Sequence, residues 1–139
     1  MLVLDSNHLQ ELGYRGILGL QLEARLQNSG DDSVTTVVCA EESLRGRMAR
    51  LASVRDVGEQ VRAYRMFAQE VGFLGRFTLL PWNESAASRF KDFRAQGIRI
   101  GTMDLRIACI TMEYGGLLLT RNTVDFAQVP GLRFENWLG

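Results

Sequence analysis

Three acids and one amide in this 139-residue chain stand directly after apolar runs, where a polar side chain is costly unless it has work to do. Asp5 follows Leu2-Val3-Leu4, and Glu42 follows Val34–Ala40. Asp104 follows Ile98 and Ile100 at the start of a long apolar stretch, and Asn122 follows Leu117-Leu118-Leu119. Short apolar runs of this kind read as interior strands of a parallel sheet. In such sheets ligands bind outside the carboxyl ends of the strands. Three carboxylates gathered there repel one another and raise their own pKa values. A divalent cation removes that cost, and hard oxygen donors favour Mg²⁺ or Mn²⁺. One or two such ions can activate a water and neutralise a phosphodiester during its displacement.

Each acid also has a plainer reading. Asp5 can be a turn former. Glu42 can simply favour the positive end of the helix it opens, leaving Glu41 as the inward residue, and Asp104 can be another acid of a first helical turn. The argument for a site is their joint occurrence at strand ends. Ser6 is suited to hydrogen-bond a ligand carboxylate or a bound water; no Gly-x-Ser-x-Gly elbow supports it as a nucleophile. Asp125 stands near Asn122 in sequence. Arg45, Arg47 and Arg50 follow Glu42 on one helix and can hold phosphates or form a solvated face. His8, the one histidine, reads as structural or solvent-facing more readily than as catalytic.

The elements that must position these residues alternate between strand and helix. Strands are expected at Leu2–Leu4, Val34–Ala40, Phe77–Leu80, Ile98–Ile100 and Leu117–Leu119, with an edge strand over Leu132–Trp137. Helices are expected over Arg15–Gln27, from Glu41 with Leu44, Met48 and Leu51 on one face, and from Val57 to Gly72 or Gly75. The last of these would bury Val57, Val61, Tyr64, Ala68 and Val71, spaced four and three residues apart. A further helix, capped by Asn83 or Ser85, carries Ala86, Phe90 and Phe93. Another runs from Met103 to Tyr114 with Thr102 as its N-cap and Gly115-Gly116 as its stop. This pattern predicts an α/β chain with a mainly parallel sheet and helices on both faces.

Composition narrows the function classes. The chain is 46% hydrophobic, enough for one domain over 1–139 with a real core. It has no apolar run of transmembrane length, and its start lacks the features of a signal peptide, so a cytoplasmic protein without a membrane partner is expected. Cys39 and Cys109 fall in apolar runs and are expected to be reduced core residues. Net charge is zero, so bulk charge does not point to nucleic acid. Every cation except Lys91 is Arg, a side chain suited to bidentate phosphate contact, although a GC-rich genome produces the same bias. No Walker loop or Gly-x-Gly-x-x-Gly follows the first strand, which excludes the usual nucleotide-cofactor folds.

Taken together, LDSN, EESLRG, IGTMDLRIA, LLTRNTVDF and VPGLRFENW resemble, in order along the whole chain, the PIN-domain ribonucleases, and within them the VapC-type toxins of toxin–antitoxin pairs. The resemblance implies a PIN-like three-layer α/β/α sandwich and a Mg²⁺- or Mn²⁺-dependent endoribonuclease acting on cellular RNA such as tRNA. It also implies a homodimer and inhibition by a small antitoxin that enters the active site. The family's first acid falls on Asp5. The second falls on Glu42, four residues before Gly46, the third on Asp104 and the fourth polar position on Asn122. Asp5, Asp104 and Glu42 are then the expected metal ligands, with Asn122 ordering a water or the scissile phosphate. Many relatives carry Asp at the fourth position and others Asn; with the amide here, one tight metal and a weaker second one are expected. A catalytically weak RNA-binding domain of the same fold is the alternative. A phosphotransfer receiver fits poorly, since Asp5 has no acidic neighbour and Lys91 lies mid-chain.

Overall fold

The computed structural model describes residues 1–139. Its centre is a five-stranded sheet in which every neighbouring pair is parallel. The strands are β1 (Leu2–Leu4), β2 (Ser33–Thr36), β3 (Leu79–Leu80), β4 (Leu117–Leu119) and β5 (Phe134–Glu135), in the order β3-β2-β1-β4-β5. Seven helices surround it: α1 (Ser6–Tyr14), α2 (Ile17–Ser29), α3 (Val37–Ser53), α4 (Val57–Leu74), α5 (Glu84–Ala95), α6 (Thr102–Glu113) and α7 (Thr123–Phe126). All three residues of β1 are buried, so both faces of the sheet are covered, as the α/β/α expectation requires. The chain moves outward from β1 through β2 to β3, then returns to the other side of β1 as β4. The strand order therefore reverses at β1, and the carboxyl ends of β1 and β4 flank the crevice where such sheets bind ligands.

Several local expectations are corrected. The strand expected over Val34–Ala40 ends at Thr36, because the Thr36 hydroxyl accepts from the N–H of Cys39 at 3.0 Å and so caps α3. Val37 through Ala40 are therefore helical, and Glu42 lies in the second turn of α3 instead of opening it. No strand forms at Ile98–Ile100: the Ile98 N–H bonds back to Phe93 and its carbonyl accepts from Arg94, both on α5. The third strand shrinks to Leu79–Leu80 and the last to Phe134–Glu135. Gly101, not Thr102, is the N-cap of α6. Two helices were not anticipated: α1, capped by Asp5, and the single turn α7.

The largest correction concerns α4. Its bounds match the expected helix, but its inward residues are Ala63 and Leu74 with half-buried Met66, Phe67 and Phe73. The stripe of Val57, Val61, Tyr64, Ala68 and Val71 faces outward, with Tyr64 62% exposed. On α3, Met48 is likewise exposed. A four-three spacing identifies a helix, but a helix with apolar residues on two sides does not say which side its neighbour α3 covers. No helix is long and apolar enough to cross a membrane. Both cysteines are buried and free, as expected.

Candidate metal centre

The site is built around Asp5, the residue between β1 and α1. Its N–H donates to the Leu119 carbonyl at 3.0 Å, continuing the β1–β4 pairing, and its side chain turns back to cap α1. Asp5 is 4% exposed, so its charge must be met by donors. Oδ1 accepts from the Ser6 N–H at 2.8 Å and from the Cys39 thiol at 3.8 Å. Oδ2 accepts from the Thr120 hydroxyl at 2.7 Å and from the Asn7 amide at 3.4 Å.

Glu42 reaches the same place from α3. Its Oε1 accepts from the Ser6 hydroxyl at 3.1 Å, and ligand atoms of Asp5, Cys39 and Glu42 lie within 4.8 Å of one another. Glu41 is turned away by one helical step; it is exposed and pairs with Arg45. The choice between the two glutamates is thus made by helix phase. Asp104, in the first turn of α6, joins the acidic group; it lies outside the 4.8 Å set, but its charge acts on Glu42 and it is itself raised by the charge of Asp5. The Asn122 amide nitrogen donates at 3.0 Å to Asp104 Oδ2 and at 3.0 Å to Asp125 Oδ2, so it ties the two acids together. The Asn122 N–H donates to the Thr120 hydroxyl oxygen at 3.0 Å.

Asp5, Ser6, Glu42, Asp104, Asn122 and Asp125 are therefore brought together, whereas Arg45 is not. Arg45 is spent on Glu41 at the surface, while Arg47 and Arg50 line a cleft of about 600 Å³ that Ser6 and Glu42 also line. Arg47 stands 3.8 Å from Glu70 in that cleft. Sequence reasoning missed Thr120, Asn7 and Cys39. Thr120 carried a usable signal: it is the first polar residue after the apolar β4 and is fully buried. Cys39 carried none, because a buried cysteine reads as core whatever it faces.

The electrostatics fit a hard cation. Burial pushes the Glu42 carboxyl above its usual range, against the Ser6 hydrogen bond, and the charges of Asp5, Asp104 and Glu41 push it further. Burial and then the Asp5 charge raise Asp104; the Asn122 amide opposes this and Asp125 adds to it. The Cys39 thiol is pushed up to about 12, by burial first and then by the Asp5 charge. It stays protonated as a weak donor to Asp5 and offers no thiolate. What remains is a set of carboxylate oxygens, the donor chemistry of Mg²⁺-like ions and not of soft metals.

A linkage prediction follows from these directions. Glu42 and Asp104 titrate above their ordinary values of 4.5 and 3.8, so the metal-free fold holds more protons than the unfolded chain in that window. Stability from these two groups accordingly falls as pH rises through it. His8, buried and lowered from 6.5 to about 4, acts in the opposite sense, losing stability as pH falls from 6.5 toward 4. A cation competes with the carboxylate protons alone. The rise in Tm on adding excess Mn²⁺ is thus expected to be small near pH 4 and to grow toward neutrality. Paired melts with EDTA or Mn²⁺ at each pH measure it; no shift at neutral pH would count against the site.

The comparisons with known proteins bear on the fold and the class of the chain. The chain is 36% identical over 70 residues to the tRNA(fMet)-specific endonuclease VapC of Shigella flexneri, covering 48% of this chain and 53% of that protein. The same figures hold for ribonuclease VapC2 of Haemophilus influenzae. The match spans about half the length of these curated relatives. No protein-family model matches. Among solved structures, the DNA-bound VapBC of Salmonella typhimurium superposes with a TM-score of 0.74 at 20% identity, covering 98% of this chain and 97% of that one. VapBC2 of Rickettsia felis, bound to a promoter DNA fragment, gives 0.73 at 17% identity over 98% of both chains. FitAcB of Neisseria gonorrhoeae gives 0.71 at 20% identity over 99% of this chain and 98% of that chain. These likenesses establish the fold.

Proposed function

We propose that this chain is a Mg²⁺- or Mn²⁺-dependent endoribonuclease of the VapC type, cutting structured cellular RNA such as tRNA in the cytoplasm and neutralised by a cognate antitoxin. The observation that carries this reading is the convergence of Asp5, Glu42 and Asp104 beside β1 and β4, with two of the three carboxyls raised by burial and by each other's charge. The 36% identity to VapC ribonucleases and the VapBC folds support the same class. A homodimer is part of the proposal.

Asp5 and Asp104 would hold the cation, with Glu42 joining directly or through water. When bound, the cation supplies Lewis-acid activation of a water and neutralises charge on the phosphodiester. The chain's own residues fix the geometry. Thr120 and Asn7 hold one oxygen of Asp5 and Ser6 holds the other, while the Ser6 hydroxyl orients Glu42. The Asn122 amide nitrogen is engaged by Asp104 and Asp125, which leaves its carbonyl oxygen as an acceptor. An acceptor can orient an attacking water but has no proton to offer a phosphate oxygen, so Asn122 serves the water. Attack by water on phosphorus in line with the P–O3′ bond would break that bond, so that the upstream fragment leaves with a 3′-hydroxyl and the downstream fragment keeps a 5′-phosphate.

The test is cleavage of end-labelled tRNA by purified protein with Mg²⁺, Mn²⁺ or EDTA. Cleavage only with cation and a 5′-phosphate on the downstream fragment are expected. Cleavage in EDTA, or a 2′,3′-cyclic phosphate product, would mean attack by the ribose hydroxyl and overturn the metal-hydrolase reading.

A further inference from the structure

We propose that Asn7 and His8 are positioning residues that set the Asp5 carboxylate, and that they take their orientation from the backbone around Trp137 at the far end of the chain. The inference deepens the nuclease reading and, for its link to metal binding, rests on it.

Two backbone donors, the N–H groups of Trp137 and Arg121, cannot reverse. The backbone N–H of Trp137 donates to Nε2 of His8 at 3.2 Å. Nε2 must then be the acceptor nitrogen, so the ring proton of neutral His8 sits on Nδ1. Nδ1 is 2.7 Å from Oδ1 of Asn7 and donates to it. That same oxygen accepts from the backbone N–H of Arg121 at 3.1 Å. Two donors on one atom fix the amide: a flipped Asn7 would set its NH₂ against both. The Asn7 nitrogen is therefore committed to the other side, where it donates to Asp5 Oδ2 at 3.4 Å. The chain of bonds has one polarity from end to end.

His8 is fully buried, so the relay is not open to rearrangement by water. Its far end is pinned as well. The Arg25 guanidinium lies 4.1 Å from the Trp137 ring centroid, the Trp137 indole N–H donates to Glu135 at 3.1 Å, and Leu138 is buried beside it. Asn7 also joins the start of α1 to the loop carrying Asn122, through Arg121. Residues that set the orientation of a carboxylate in this way are the outer support that metal ligands depend on.

The experiment has two arms. In metal-free protein, ¹⁵N–¹H correlation of the imidazole should show a neutral Nδ1–H tautomer, and Asn7→Ala should shift the Arg121 and Trp137 amide resonances. An Nε2–H tautomer would overturn the relay whether or not the protein is a nuclease. In the second arm, Mn²⁺ affinity is measured by calorimetry without RNA for Asn7→Ala, His8→Leu and His8→Gln. Asn7→Ala and His8→Leu should weaken Mn²⁺ by about 10–100-fold, the range for loss of an outer-shell partner. With RNA, kcat should fall while KM stays within about twofold, since neither residue lies in the Arg47–Arg50 cleft. His8→Gln keeps one donor and one acceptor and should recover part of the loss. If His8→Leu does not fold, half-buried Asn7 still reads the link. Wild-type Mn²⁺ affinity in Asn7→Ala would overturn it. A wild type that binds no Mn²⁺ would remove the metal reading and the link to it, while the tautomer still decides the relay itself.

Discussion

Asp104→Asn is expected to abolish RNA cleavage while leaving the fold standing. The substitution keeps the shape of the side chain and an oxygen for the Asn122 amide, 3.0 Å away, but removes the charge. That charge is unwelcome in the metal-free protein, where burial and Asp5 already push the carboxyl toward protonation. Its removal should therefore leave the melting temperature without cation unchanged or raise it. With cation the sign reverses: the rise in Tm should shrink, and cleavage should fall by at least about 10²–10³-fold, the scale of losing one charge-stabilising group at a reacting centre. Stability and rate moving in opposite directions separate a site residue from a structural one. A variant that cuts tRNA at the wild-type rate would remove Asp104 from the mechanism.

Gly19→Ala should be the most damaging single methyl group in the chain. A Cβ at Gly19 would meet the backbone carbonyl of Glu11 at 2.0 Å, closer than any real contact. The carbonyl belongs to α1 and cannot rotate aside as a side chain would, so α1 and α2 must separate. We expect a loss of about 3 kcal/mol, the upper end for overpacking, and a fall in Tm of roughly 10 °C. Because Asp5 is the N-cap of α1, the shift should also weaken cation binding. Gly72→Ala is the control. It lies on the open side of α4 with nothing within 4 Å, so the same change should stabilise by about 0.5–1 kcal/mol through helix propensity. Equal melting temperatures for the two variants would mean that α1 and α2 do not meet at Gly19 as described.

What the sequence determined by itself is local. Leu2–Leu4 and Leu117–Leu119 are strands because each run is short, apolar and closed by polar residues, and both bounds agree with the structure. The helix expected over Met103–Tyr114 forms one residue earlier, as Thr102–Glu113, and its stop at Gly115, where φ is +64°, was legible. Because Asp5 follows Leu2–Leu4 directly and Asn122 comes three residues after Leu117–Leu119, that side of the crevice could be argued before any coordinates, whereas the strand expected to deliver Asp104 does not form. The extent of β2 could not. Val34–Ala40 is uniformly β-branched or apolar, and only the Thr36 cap, closed on Cys39, turns its second half into helix. That turn gives Glu42 its inward phase and sends Glu41 to Arg45.

Tertiary structure alone decided two further things. Periodicity identified α4 but could not choose between its two apolar sides, because the choice depends on what α3 presents to it. The link from Trp137 through His8 and Asn7 to Asp5 spans 129 residues at its longest bond, and no spacing rule reaches that far. Hydrogen-bond partners of a buried side chain are set by which backbone groups the fold leaves unpaired beside it, and that is known only once the strands have found their order.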